Sequence, residues 1–263
     1  MRDDIGSAVS HLVARPGELL HAAYASTSTE TVDTENVLFY NVGTGRFAAA
    51  ARYGLLFERR FVEVPTPTDV HGQSSAHHVA YQLRTGQGPR YWKSGPTLVE
   101  WKAVPCPPLH EFAKLSEIWL DIKQATQAIH RVAPMGTRTV DRFGLELVVP
   151  VGDGGSRNVA AFVKPLVDGV IAAFHSHDGS DEHELAARLA NRLNLPPEKL
   201  LALLRDTSLA ALGSRRLLWR WRDSVQWNPA DDQCVLGRVV VLAGGPAPHW
   251  SHSGRIFSVR ALD

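Results

Sequence analysis

Short apolar segments separated by turns that contain glycine or proline constrain the fold of this chain most strongly. Apolar runs of roughly four to eight residues with such boundaries predict strands, whereas apolar residues at helical spacing predict helices. Strand-like segments are residues 37–40, 55–64, 77–84, 91–104, 145–149, 158–164, 217–222, 235–243 and 255–260. Helical spacing occurs in residues 109–132, 166–174, 181–193 and 196–204. The sequence therefore predicts a mixed α/β (α+β) fold with mainly antiparallel sheets and packed helices.

Proline-rich boundaries divide the chain into two expected regions. Residues 1–108 form a strand-rich N-terminal region that begins with two short helices, separated by Pro16 and Gly17. Residues 109–263 form a C-terminal α/β region, and Pro105, Pro107 and Pro108 mark the boundary.

Composition excludes several classes of protein. Lys and Arg total 28 against 27 Asp and Glu, so no global field steers the chain to nucleic acid, and such contacts need a local patch. The two cysteines form no C-x-x-C motif, as is common in a reducing compartment. The N-terminus lacks the pattern of a signal peptide, and the sequence has no apolar run of about 18 residues. We therefore expect a cytoplasmic protein without membrane contact.

Two acidic segments carry the most specific functional signal. Lys164-Pro165-Leu166-Val167-Asp168 opens a predicted helix, and Asp231-Asp232 directly precedes a predicted strand. In this order, residues 140–243 resemble the RusA-type Holliday junction resolvases, bacterial nucleases in which clustered carboxylates hold Mg²⁺ for phosphodiester hydrolysis. Leu166, Gly169 and Ala172 stand where that family has its first acid, its asparagine and its lysine.

The resemblance implies that the C-terminal part is RusA-like and that Asp168, Asp231 and Asp232 bind Mg²⁺ or Mn²⁺ as catalytic residues. Carboxylate oxygens are suitable ligands for these ions, which activate water and polarise phosphate. The hypothesis requires these oxygens to lie within about 8 Å of one another. The simpler alternative is that Asp168 favours the helix dipole in a first turn and that Asp231-Asp232 is a turn.

A histidine-rich segment is a second candidate. His175, His177 and His183, together with nearby acids, offer ligands for zinc, manganese or iron. We therefore add His175 and His177 to the candidate metal ligands. The same composition is also typical of an exposed loop that ends in a helix cap.

A basic and aromatic segment is the best local patch for nucleic acid. It contains Arg215, Arg216, Trp219, Arg220 and Arg222. On a strand, Trp219 and Trp221 share one face, and arginine with tryptophan is a known combination for binding single strands. The simpler alternative, which we favour, places the tryptophans in the core and the arginines in solvent.

These features lead to three hypotheses about function. The first is a protein that handles DNA or RNA with a RusA-like, divalent-metal endonuclease unit, whose missing motif residues allow for a weakened or lost site. The second is a non-catalytic binding or assembly subunit of a bacterial complex, with a protein partner or a homo-oligomeric form. The third is a metal-dependent hydrolase that uses the histidines.

The first half of the chain contains a segment with a similar arrangement of acidic residues before an apolar run. Asp33-Thr34-Glu35-Asn36 stands directly before an apolar run. This arrangement predicts a second, diverged copy of the same unit, so that a fused pseudo-dimer would replace the homodimer of the resolvases. A polar loop before a strand is the alternative.

Overall fold

The computed structural model describes most of the chain, in nine segments: residues 2–27, 32–61, 66–68, 74–86, 88–109, 113–131, 141–151, 158–243 and 250–262. Its helices are α1 Arg2–Ser10, α2 Leu115–Gln124, α3 Val159–Ala173, α4 Glu182–Leu193 and α5 Pro197–Arg205. Shorter helical segments are the π-helix Asn36–Tyr40 and the 3₁₀ helices Thr44–Phe47, Thr126–Ala128 and Asp231–Gln233. The strands are β1 Glu18–Ser26, β2 Gly54–Phe61, β3 Thr66–Thr68, β4 Ser74–Ser75, β5 His77–Thr85, β6 Trp92–Pro105, β7 Ile129–Arg131, β8 Phe143–Val151, β9 Ser176–His177, β10 Ser214–Arg215, β11 Leu218–Trp221, β12 Ser224–Trp227, β13 Cys234–Ala243 and β14 Ser251–Ala261.

A sheet of eight strands, in the order β5-β1-β2-β13-β8-β14-β6-β7, organises the fold. Only the pairs β1–β2 and β13–β8 are parallel, and the other five pairs of this sheet are antiparallel. The predicted mixed α+β class with mainly antiparallel strands is therefore confirmed. The antiparallel pair β2–β13 is one of the places where the two halves of the chain meet in this sheet.

The sheet is continuous across the expected boundary near residue 108. Strand β6 from the first region pairs with β14 and β7 from the second region. Strand β2 likewise pairs with β13. The two regions therefore share one sheet and one large hydrophobic core.

Four predicted elements differ in the structure. The helix expected over residues 109–132 ends at Gln124, and Ile129–Arg131 is strand β7. The second leading helix is instead strand β1, which is buried along most of its length because it lies between β5 and β2. Tertiary pairing overrides the helical preference of its alanines there. Residues 37–40 belong to the π-helix, not to a strand. The expected strand over residues 158–164 is the first half of α3, which is apolar and buried on nearly all sides, so alternation could not distinguish the two.

Helix α3 contains Pro165 in its interior, where proline has no N–H to donate. The carbonyl four residues earlier belongs to Ala161, and the Tyr40 hydroxyl donates a hydrogen bond to it at 3.1 Å. This contact satisfies the acceptor that proline leaves free. It also fixes the π-helix against α3.

Both cysteines are free thiols and buried. Within the described segments, no helix has the length and apolar character needed to cross a bilayer.

Candidate functional site

A group of charged side chains lies between the start of the π-helix, helix α3 and the 3₁₀ helix before β13. We call Asp33, Glu35, Lys164, Asp168 and Asp231 the acidic cluster. One carboxylate oxygen from each of Asp33, Glu35 and Asp231 lies within 4.8 Å of the others. Three segments that are distant in sequence therefore meet at one place.

Lys164 is the centre of this cluster. Its Nζ lies 3.1 Å from Oδ2 of Asp168, one helical turn later, and 3.1 Å from Oδ2 of Asp231. It also donates a hydrogen bond to Asp33. Burial alone would lower the pKa of Lys164, but the surrounding carboxylates, Asp168 foremost, raise it above its ordinary value. The lysine is therefore a fixed positive charge among four acids.

Glu35 is the most deeply buried member of the cluster. Its exposed fraction is 0%, and within the described segments no N–H or hydroxyl group donates a hydrogen bond to either of its carboxylate oxygens. Burial, together with the charges of Asp33 and Asp168, raises its pKa well above the ordinary value. Burial also acts on Asp33, but its contacts with Glu35, Lys164 and Asp231 outweigh that effect and lower its pKa. A proton shared with Asp33 or a bound cation would satisfy Glu35 at this position.

The remaining two carboxyls have raised pKa values for the same reason. Burial raises the pKa of Asp168 to about 7 against the effect of Lys164, with the charges of Asp231 and Asp33 adding to the rise. Burial also raises the pKa of Asp231 to about 6. Oδ1 of Asp168 has no hydrogen-bond partner either. The cluster therefore holds more acceptors than its donors can satisfy.

Two of the three predicted carboxylates come together. The Oδ2 atoms of Asp168 and Asp231 share the Lys164 amine, so they lie no more than about 6 Å apart, within the distance that the metal hypothesis requires. Asp232 is not part of the close group. Its charge acts instead on Arg59 and Arg215, where it partly offsets the lowering of their pKa values by burial.

The sequence did not assign Asp33, Glu35 or Lys164 to the site. Asp33 and Glu35 were recognised only as an echo of the acidic helix start. The spacing of Lys164 and Asp168 on one helix was the available signal, because residues four apart lie on the same face. Because residues 158–164 were expected to form a strand, Lys164 was not assigned to the same helix as Asp168.

The structure places the candidate ligands His175 and His177 in hydrogen bonds with the backbone. His177 accepts a hydrogen bond from the Leu217 N–H at Nδ1, and its Nε2 donates to the Ser180 carbonyl at 2.6 Å. His175 Nδ1 bonds to the Ile171 carbonyl at 3.0 Å, and burial lowers the pKa of its ring to about 4. His183 is exposed on α4. The ring contacts of His175 and His177 in the described part of the chain are therefore with backbone groups that follow or end α3.

The basic and aromatic segment forms the β-hairpin β11–β12 beside helix α4. Trp219 and Trp221 are 42% and 56% exposed, so the favoured core placement is wrong for both. The reason is that β11 pairs only with β12 and turns Leu218, not the tryptophans, towards the core.

The arginines of the segment have different surroundings. Arg216 stacks on the Trp219 ring at 4.0 Å and pairs with Asp181. Arg220 pairs with Glu184, and Arg222 lies 5.8 Å from the Trp221 ring centre. Arg215 is half-buried towards Asp231 and Asp232, and its Nε has no hydrogen-bond partner. The charges of Asp232 and Asp231 therefore act on Arg215, which precedes the hairpin in sequence.

Comparison with known proteins adds no relative to this description. No family model, no curated protein and no solved structure matches the chain.

Proposed function

We propose that this protein is a divalent-metal-dependent phosphodiesterase that acts on nucleic acid. The observation that supports it best is Glu35, whose fully buried carboxylate accepts no hydrogen bond from an N–H or hydroxyl group of the described segments and faces Asp33 and Asp231. The resemblance of residues 140–243 to the RusA-type resolvases points to the same chemistry.

The charges of the acidic cluster favour a divalent cation. Four carboxylates surround one ammonium group, which contacts three of them. An unpaired charge is costly at low exposure, and oxygen ligands are the type that Mg²⁺ and Mn²⁺ prefer. Asp33, Glu35 and Asp231 would hold the ion, with Asp168 at the edge of the group. The ion supplies polarisation of a phosphate oxygen and activation of water.

Part of the cluster reaches the protein surface. The side chains of Asp33, Lys164, Asp168 and Asp231 are between 9% and 22% exposed. Lys164 holds the carboxylates in place and puts a positive charge next to the position of the substrate phosphate. Such a fixed charge stabilises the negative charge that develops during phosphoryl transfer.

The β11–β12 hairpin is the proposed contact for the nucleic acid. Its exposed tryptophans offer surfaces for base stacking, and Arg216, Arg220 and Arg222 lie beside them. Arg215, on which the charges of Asp232 and Asp231 act, lies just before this hairpin in sequence. This arrangement favours DNA or RNA as the substrate over a small phosphate ester.

A cleavage assay tests the proposal. Labelled branched, linear duplex and single-stranded DNA are incubated with the full chain and Mg²⁺ or Mn²⁺. We expect cleavage that Asp231→Asn and Glu35→Gln reduce by more than the roughly 10- to 100-fold that loss of an outer-shell contact costs.

The matched control is Asp232→Asn, which removes the same charge one residue away but outside the close group. We expect this variant to keep most of the activity. Absence of cleavage of every substrate, or equal loss in all three variants, would contradict the proposed function. Binding without cleavage would support the non-catalytic alternative instead.

A further inference from the structure

Two parts of the large sheet have the same topology. The N-terminal repeat consists of β1, a helical connection, β2 and β5, with β2 parallel and β5 antiparallel to β1. The C-terminal repeat consists of β8, a connection beginning with α3, β13 and β14, with β13 parallel and β14 antiparallel to β8. In both repeats the first strand lies between the other two.

The strand registers agree with this equivalence. Leu20 of β1 lies between Leu55 and Leu83, and Leu145 of β8 lies between Gly237 and Ile256. With Leu20 and Leu145 set as equivalent positions, Leu55 corresponds to Gly237 and Leu83 to Ile256. Across the antiparallel pair β2–β13, Leu55 is opposite Val239 and Phe57 is opposite Gly237. A two-fold axis that passes between the pair Leu55–Val239 and the pair Phe57–Gly237 would exchange one repeat with the other.

The helical connections follow the same rotation. Asn158, at the start of α3, donates a hydrogen bond to the carbonyl of Thr44, near the end of the first connection. Lys164, further along α3, contacts Asp33 at the start of that connection. The two connections therefore run antiparallel, as a two-fold axis requires.

The acidic cluster breaks this symmetry. Asp231 lies in the segment directly before β13. The equivalent segment before β2, residues 48–53, contains four alanines, Arg52 and Tyr53 and has no carboxylate. Among the residues that the structure describes, Asp33, Glu35 and Asp231 are the one group of three such ligands.

We infer that the chain is an internal duplication with a single cleavage site, and that it therefore hydrolyses one strand of a duplex in each encounter. This inference rests on the proposed phosphodiesterase function. Two sites related by a two-fold axis can act on both strands of a duplex, whereas one site reaches a single phosphodiester bond. In that step a water oxygen forms a new bond to phosphorus, the bond from phosphorus to the sugar oxygen breaks, and the sugar oxygen takes up a proton from the water.

A plasmid assay tests the inference. Supercoiled circular DNA is incubated with limiting amounts of the full chain and Mn²⁺, and the number of chains per particle is measured by light scattering. We expect single chains, an accumulation of nicked circles and linear DNA only after a lag. Linear DNA that forms from the start, at the rate of the nicked circles, would overturn the single-site inference while leaving the phosphodiesterase function intact. No cleavage at all would instead contradict the proposed function.

Binding of Mn²⁺ gives a readout that does not depend on cleavage. In a calorimetric titration we expect one high-affinity Mn²⁺ site per chain, and we expect the Asp231→Asn variant to lose it. Binding of similar affinity that persists in Asp231→Asn would reveal a second site and overturn the inference. Asp232→Asn is the control and should bind Mn²⁺ as the natural chain does.

Discussion

At the scale of single residues, the carboxyl groups of the acidic cluster are held in an environment that disfavours their charged form. Glu35 and Asp168 are buried, and the single ammonium of Lys164 cannot neutralise every carboxylate near it. A group of this kind stabilises the folded state only when a proton or a cation is bound. Protons and metal ions therefore compete for the carboxylate oxygens of the cluster.

The pH dependence of the free energy of unfolding should show that the charged form of Asp168 is disfavoured in the folded state. The folded chain keeps the proton of Asp168 up to a pKa of about 7, whereas the ordinary value is 3.8. Stability from this carboxyl is therefore fully present below about pH 4 and is lost as the pH rises towards 7. Asp168→Asn removes that loss. In a metal-free buffer, we expect its melting temperature relative to the natural chain to increase by a few degrees between pH 4 and 7.

Asp141→Asn, at an exposed carboxyl, is the control and should show no such trend. A difference in melting temperature between Asp168→Asn and the natural chain that stays constant from pH 4 to 8 would show that the folded state does not disfavour the charged form of Asp168. Saturating Mn²⁺ should reduce the trend, because the ion replaces the proton.

At the scale of elements, the β11–β12 hairpin shows that alternation predicts which side chains share a face but not whether that face is buried or exposed. Trp219 and Trp221 share one face, as alternation predicts. That face is outward because the hairpin is attached to the rest of the molecule through Leu218, Val225 and helix α4. Large exposed aromatic side chains next to arginines are typical of a binding surface.

Alanine substitution tests this surface. We expect Trp219→Ala and Trp221→Ala each to weaken binding of a fluorescent single-stranded oligonucleotide by about 1–3 kcal/mol, or roughly 5- to 150-fold in Kd. Melting temperatures should change little, because both rings are exposed. The control Trp119→Phe lies in the core and should lower stability without a specific effect on binding. Unchanged affinity in both surface variants would exclude the hairpin as the binding surface.

At the scale of the whole molecule, the shared sheet links the two regions energetically. Strand β6 has both of its partners in the second region, and β2 has one of its two partners there. A fragment that contains residues 1–108 alone would expose these strand edges and part of the common core.

We therefore expect one cooperative unfolding transition for the full chain. Far-ultraviolet circular dichroism and tryptophan fluorescence should give the same midpoint in denaturant. The fragment of residues 1–108 should show no cooperative transition. Two separate midpoints, or a fragment that unfolds cooperatively, would contradict this coupling.

The acidic cluster shows which parts of the site the sequence could supply. Asp168 and Asp231 were found through a motif, because the order of a helix start and an acidic strand start is visible along the chain. Glu35 carries no comparable local signal, and the local signal of Lys164 is limited to its position one helical turn before Asp168. Their roles depend on the meeting of residues that are more than a hundred positions apart.

The sequence by itself determined the elements whose apolar spacing is regular, among them α4, α5, β8 and β14, together with the mixed α+β class. Spacing is a local property, so it survives without knowledge of the fold. Only the tertiary structure decided that residues 18–26 form a strand, that residues 159–164 are helical and that Trp219 and Trp221 are exposed. It also decided which acids share Lys164. These features depend on the order of strands in the sheet and on the packing of helices across it, neither of which is encoded in the neighbouring residues.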